Sequence, residues 1–145
     1  MILASYIADG AEAYGVVKGD GVITMNNRFG GHAASLREAL AGNLLPQIKE
    51  AASNGQADRK LSEIKFLPVI PNPEKILCVG INYKDHILKM AKKRGVEPAF
   101  PPKPDIGYRT NNALVAHDQD IVKPADAGEQ FQYEGELEQI GRAHV

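Results

Sequence analysis

Tyr133-Glu134-Gly135-Glu136-Leu137 is the stretch whose reading decides the fold. Two carboxylates lie two residues apart beside an aromatic and an aliphatic residue. In a β-strand successive side chains point to opposite faces, so Glu134 and Glu136 project on the same side. Like charges on one face are costly unless a cation sits between them. A hard divalent ion such as magnesium accepts such oxygen ligands. The bland alternative is an exposed edge strand with two solvated glutamates. Glu-x-Glu alone favours that alternative, because isolated short motifs recur by chance.

The rest of the chain bounds what this strand can belong to. Its 145 residues have room for one ordinary domain or two small ones. Apolar residues make up 43%, enough for a core. Net charge is −1, with seven basic and seven acidic groups in residues 1–72 and ten and eleven in residues 73–145. That balance gives no electrostatic attraction to nucleic acid or to an anionic membrane, so neither is expected as a partner. Cys78 is the single cysteine, set in an apolar run, which excludes a disulfide framework and a thiolate metal site. A buried, inert thiol is the default for it. No apolar stretch approaches membrane-spanning length, and no basic region followed by an apolar run opens the chain. The simplest inference is a soluble cytoplasmic protein.

From the N-terminus, Ile2 to Ile7 reads as a strand, Asp9-Gly10 as a turn, and Ala13 to Lys18 as the return strand. Lys18-Gly19-Asp20-Gly21 makes a second turn and Val22 to Met25 a third strand, giving a β-meander. Asn26 to Ala34 is polar and Gly-rich, a loop in which His32 has no partner at ligand spacing. Ser35-Leu36-Arg37-Glu38 is a capping box, and Gly42 stops the helix that it starts. A second helix carries Pro46 in its first turn and Leu45, Ile48, Ala51 and Ala52 on one face, and Asn54-Gly55 ends it. Leu61 to Leu67 reads as another strand, with Ile64 and Phe66 pointing the same way.

Ile70-Pro71-Asn72-Pro73 is the candidate linker, since two prolines bar helix through it. Ile76 to Gly80 is a short continuous apolar run, the pattern of a strand buried on both faces. Tyr83 to Arg94 reads as a helix capped near Asn82 and ended by Gly95. Its basic residues Lys89, Lys92, Lys93 and Arg94 complement the negative C-terminal end and read as a solvated face. Pro98 to Pro104 is extended. Ala113 to Ala116 and Asp120 to Lys123 read as short strands joined by a turn at His117-Asp118-Gln119. Pro124 to Gln130 is a loop, and Phe131 to Leu137 is the strand of the paired glutamates.

Four pieces then occur in one order. They are Lys75-Ile76-Leu77-Cys78-Val79-Gly80; Ile81-Asn82-Tyr83-Lys84-Asp85-His86; Asn112-Ala113-Leu114-Val115-Ala116-His117 with Ile121-Val122-Lys123-Pro124; and Tyr133-Glu134-Gly135-Glu136-Leu137. This ordered set resembles the fumarylacetoacetate hydrolase family from about Lys75 to Leu137. The N-terminal meander resembles the small leading domain that many bacterial members carry. The resemblance implies a mixed α/β, β-rich fold: a meander domain with two helices over residues 1–70, a linker over 71–74, and the start of a mixed β-roll catalytic domain over 75–138. It also implies a Mg2+ or Mn2+ ion held by three carboxylates, and small-molecule substrates that are 2-oxo, enol or 1,3-diketo acids, of the kind met in the catabolism of aromatic compounds. Members hydrolyse carbon–carbon bonds, decarboxylate, or shift double bonds, and a homodimer is the expected assembly.

Residue by residue, Glu134 and Glu136 match the first two metal ligands of the family. His86 matches the histidine at the mouth of the site, which serves as a base for water or orients one. Arg109 is similar in place to the Lys or Arg that meets the substrate carboxylate. Those residue types suit the chemistry in their own right. A divalent ion can chelate both oxygens of a 2-oxo acid and stabilise an enolate. A neutral imidazole near pH 7 can take a proton from water or carbon, and a guanidinium can hold a carboxylate bidentately. Taken alone, His86 reads as a surface helix histidine, and Arg109 is read equally well as one half of a surface salt bridge.

The sequence departs from the family pattern in three places. Many members carry an acidic residue one helical turn after the histidine, where this chain has Lys89; an ammonium there disfavours an imidazolium and leaves the ring without a carboxylate to fix it. Gly107-Tyr108-Arg109 keeps only roughly the aromatic and small residues that usually precede the Lys or Arg. The family's third carboxylate ligand and most of its sheet are expected beyond Leu137. The segment Gln139-Ile140-Gly141-Arg142-Ala143-His144-Val145 is what reading through a common sequencing adapter would encode, so residues 139–145 are expected to be non-native, with no role for His144; alternatively, Ile140-Gly141-Arg142 is the family's own continuation. With two carboxylates of three, the expectation is an inactive, aggregation-prone chain whose full-length parent is a metal-dependent hydrolase, lyase or isomerase. The alternative is a non-catalytic binding or interaction relative of the same fold.

Overall fold

Asp9 and Gly10 both take left-handed φ, 52° and 77°, the pair of values that a two-residue type I′ turn requires. In the computed structural model, which describes residues 1–31, 33–81, 83–103 and 105–129, this turn joins β1 (Ile2–Ala8) to β2 (Ala11–Lys18). The register runs from Ile2 opposite Val17 to Ala8 opposite Ala11. Gly19, at φ 63°, turns the chain into β3 (Gly21–Thr24), one residue earlier than the alternation places it. Two further strands of two residues each flank this meander. β4 (Arg59–Lys60) pairs with β3, and β5 (Lys65–Phe66) pairs with β1, so the antiparallel order is β4-β3-β2-β1-β5.

Leu61 to Leu67 is therefore not one strand. Leu61–Glu63 coils into a 3₁₀ turn, closed by the Lys60 N–H donating to Glu63 Oε2 at 2.9 Å. The two edges of the sheet are joined by Leu61–Ile64 alone, five residue steps from Lys60 to Lys65 that reach at most about 18 Å if extended and clearly less with a 3₁₀ turn among them. The edge strands of a flat five-stranded sheet stand about 19 Å apart. The short link thus forces the sheet to curl. Curling gives it two apolar faces. Tyr14, Val16, Ile23 and Met25 pack with Leu36, Ala39 and Ile48 on one side. Ala4, Tyr6 and Val22 pack with Leu61, Ile64 and Phe66 on the other.

The first of those faces is covered by two helices. Ser35 caps α1 (Leu36–Ala41) by accepting the Glu38 N–H at 3.2 Å. Glu38 reaches back to the Ala34 N–H, at 2.7 Å, so the box closes one residue upstream of its usual donor. Gly42 is the C-cap, as expected, with a right-handed φ of −79°, and Asn43 after it takes the left-handed conformation, at φ 55°. The Leu44 N–H then reaches the Ala39 carbonyl at 2.9 Å and the Asn43 N–H reaches Leu40 at 3.0 Å, a full Schellman closure. This closure delivers Leu44 to the core ahead of α2 (Leu45–Asn54). Leu45, expected on the apolar face, is exposed for that reason, while Ile48, Ala51 and Ala52 keep their places.

Two tyrosines carry measurable consequences. Burial pushes both Tyr6 and Tyr14 above the ordinary phenol value of 10.0, the Thr24 hydroxyl opposing it at Tyr6 and the Glu38 charge adding to it at Tyr14. A proton held more tightly when folded contributes stability below pH 10, and that contribution is lost as pH rises through the folded values. Alkaline titration followed by circular dichroism should therefore show stability falling above pH 10. Tyr14 Oη is buried with no hydrogen-bond partner among the described residues, whereas the Tyr6 hydroxyl lies 2.8 Å from Thr24 Oγ1, which itself donates to Asp58. An unmade buried hydrogen bond costs about 1–3 kcal/mol. Tyr14→Phe is therefore expected to raise unfolding free energy by about 1 kcal/mol in urea and to blunt the alkaline loss; a destabilised variant would contradict this.

Chain contacts divide the protein into two compact units, Met1–Pro73 with Asn111–Val122, and Glu74–Thr110 with the described residues from Lys123 on. The second holds β6 (Ile76–Gly80), α3 (Lys84–Arg94) and β7 (Asp105–Arg109). β6 alternates instead of being buried on both faces: Ile76 and Cys78 are buried and Leu77 is exposed, and among the described residues β6 pairs in a two-stranded ribbon with β7. α3 starts after Tyr83 without a side-chain cap and ends at Gly95, φ 66°, with Ile87 and Ala91 buried. Asn82, the expected cap, lies outside the described residues. The strands expected at Ala113–Ala116 and Asp120–Lys123 do not form; Asn111–Ala113 is a 3₁₀ turn and the rest pairs with no strand among the described residues. Apolar residues there lack a ladder to join, and Val122 is 79% exposed.

Candidate functional site

The β6–β7 ribbon sets Cys78 opposite Gly107 and Gly80 opposite Asp105. With Arg109, these residues line a shallow cavity of about 180 Å³ on one face of the ribbon. The other face is apolar, with Leu77 opposite Tyr108 and Val79 opposite Ile106. Strand alternation explains the division, since Asp105, Gly107 and Arg109 share one face of β7. Arg109 Nη1 donates to the Tyr108 carbonyl at 3.0 Å and stands 3.2 Å from where a Cβ on Gly107 would lie. The guanidinium therefore folds back along the strand over Gly107. It is solvent-exposed, with donors free to face an anion.

Asp105 is the residue that the sequence reading missed. It brings a carboxylate to the far end of the cavity face that Arg109 closes. The signal was the period-two run Asp105-x-Gly107-x-Arg109, hidden behind the prolines that precede it.

His86 lies in the first turns of α3, its N–H donating to the Tyr83 carbonyl at 3.0 Å. The imidazole is exposed, and no carboxylate or carbonyl among the described residues holds it. Lys89 follows three residues later on a neighbouring face and is also exposed. His86 and Arg109 form no hydrogen bond with each other. Cys78, the single cysteine of the sequence, is buried. His117 sits in a turn, with Asp118 at φ 60° and the Gln119 N–H donating to the Ala116 carbonyl at 3.2 Å.

Glu134 and Glu136 lie outside the described residues, as do His32 and His144. Among the described residues no group of three His, Cys, Asp or Glu side chains could hold a metal ion. No helix among the described residues is long and apolar enough to cross a membrane.

Comparison with known proteins gives the following. Residues 75–140 match the family model described as fumarylacetoacetate hydrolase, C-terminal. Oxaloacetate tautomerase YisK of Bacillus subtilis is 35% identical over 78 residues, 53% of this chain and 25% of that protein. The mitochondrial oxaloacetate tautomerase fahd2 of Xenopus laevis is 30% identical over 121 residues, 82% of this chain and 36% of that protein. An uncharacterized protein of Archaeoglobus fulgidus is 36% identical over 77 residues, 53% of this chain and 28% of that protein. The chain spans about a quarter to a third of the length of these relatives. No solved structure matches it.

Proposed function

The chain belongs, over residues 75–140, to the fumarylacetoacetate hydrolase family, and on that premise we propose an enzyme that uses a divalent ion, Mg2+ or Mn2+, to isomerise or cleave a 2-oxo, enol or 1,3-diketo acid. The observation that carries this reading is the likeness, over up to 82% of the chain, to proteins named as oxaloacetate tautomerases. Those names favour isomerisation over bond cleavage. In a keto–enol interconversion a proton leaves the carbon beside the ketone and another arrives on the carbonyl oxygen, with no net change in atoms.

The residues divide that task. Glu134 and Glu136 would hold the ion, which would supply a Lewis acid to stabilise the enolate form of the acid. Arg109, exposed over the Gly107 floor, takes the substrate carboxylate. His86 moves the proton, its exposed ring being open to substrate on either nitrogen. Two carboxylates alone hold an ion weakly, so turnover by the 145-residue chain is expected to fall below detection, and binding carries the test. Titration with Mn2+ under NMR should broaden the signals of Glu134 and Glu136 selectively, because a paramagnetic ion relaxes nuclei near it. Uniform broadening, or none, overturns the metal-dependent reading.

A second reading is a non-catalytic binding relative of the same fold. The observation in its favour is the bare His86 ring followed by Lys89 in place of an acid. It predicts no selective Mn2+ broadening at the glutamate pair.

A further inference from the structure

Arg109 and Asp105 each lie over a glycine on one face of the β6–β7 ribbon. Arg109 Nη1 stands 3.2 Å from where a Cβ on Gly107 would lie, and Asp105 Oδ2 stands 4.0 Å from where one on Gly80 would lie. Gly107 pairs with Cys78, two residues before Gly80, so the two glycines are diagonal neighbours across the ribbon. Such neighbours stand about 7–8 Å apart. The cavity of about 180 Å³ thus has a guanidinium at one end, a carboxylate at the other and a glycine under each. Both charged side chains are exposed. Among the described residues they form no ion pair with each other.

We propose that Asp105 determines specificity: among 2-oxo acids held by Arg109, it selects those with one carboxylate over those with two. This rests on the reading of Arg109 as the group that takes the substrate carboxylate. An acid anchored there extends across the two glycines toward Asp105. An uncharged tail meets no repulsion at that end, and a hydroxyl or enol O–H on the tail can donate to the Asp105 carboxylate. A second carboxylate meets a like charge. Two such charges about 5 Å apart cost about 4-fold in affinity even at the dielectric constant of water, and more where protein replaces water around them.

The test uses 2-oxopentanoate and 2-oxoglutarate, which share one carbon chain and differ by the second carboxylate. The ratio of their affinities therefore isolates its charge. Each acid is titrated into the 145-residue chain in low-salt buffer, where charges reach furthest, and the NMR shifts of the Gly80 and Gly107 amides are followed. Asp105→Asn is expected to move the ratio about 4-fold in favour of 2-oxoglutarate, and Asp105→Glu to keep it. Arg109→Gln is expected to weaken both acids. Both positions are exposed, so the variants fold. If Arg109→Gln weakens both acids while Asp105→Asn leaves the ratio unchanged, the selector is overturned and the carboxylate reading of Arg109 stands. If Arg109→Gln weakens neither, or neither acid moves those amides, the carboxylate reading fails and the selector with it. An equal change of ratio in Glu97→Gln, an exposed acid outside the cavity, also overturns the selector, because net charge and not place would then be responsible.

Discussion

Gly15→Ala is expected to destabilise the protein by about 3 kcal/mol, the upper range for forcing an extra methyl into a packed site. Gly15 lies in β2 opposite Thr24 of β3. A Cβ built there would stand 2.4 Å from the Ile23 carbonyl oxygen and 2.8 Å from Val22 Cγ2. The first is a backbone atom held in the ladder, with Val16 opposite Ile23. The second belongs to a side chain with no exposure to give way into. Relief therefore requires β2 and β3 to separate at this pair. Urea denaturation followed by far-UV circular dichroism measures the loss. A cost under about 1 kcal/mol would mean that the two strands separate there freely and would contradict this expectation.

Glu134→Ala and Glu136→Ala are each expected to weaken Mn2+ binding by roughly ten-fold or more, with little change in fold stability. A pair of carboxylates that loses one loses half its negative charge and half its hard oxygen donors. Glu129→Ala, removing an exposed carboxylate a few residues upstream, should leave the titration unchanged. Loss of affinity only in the first two variants supports a site at the pair. Equal losses in all three would point to diffuse attraction between cation and protein, which added salt would screen.

The legible parts of this fold are those whose signal is local. Asp9-Gly10 and Gly19 fix their turns through backbone freedom, and alternation fixes the strands that they join. Ser35 and Gly95 mark helix ends for reasons contained within one turn of helix. The losses come where a partner decides. Ala113–Ala116 and Asp120–Lys123 have apolar residues enough for strands, yet a strand exists only when another strand accepts its hydrogen bonds. β7 was invisible because the proline-rich run before it reads as loop, while the strand that recruits it, β6, is distant in sequence. At the candidate site the sequence singled out His86 and Arg109 but not Asp105, for the same reason: only the ribbon puts Asp105 on Arg109's face. Gly42 ends its helix as expected, and the left-handed residue that completes the Schellman bonds is Asn43, because asparagine tolerates that conformation.

The sheet of the first unit begins and ends in strands only two residues long, Arg59–Lys60 and Lys65–Phe66. A neighbouring molecule seeking to extend a sheet needs a run of unpaired backbone groups to copy, and each border strand itself offers only two residues. Three of the four border residues are cationic, which repels a like-charged border on another molecule. Margins this short and this basic give amyloid-like growth little to start from at the border strands themselves.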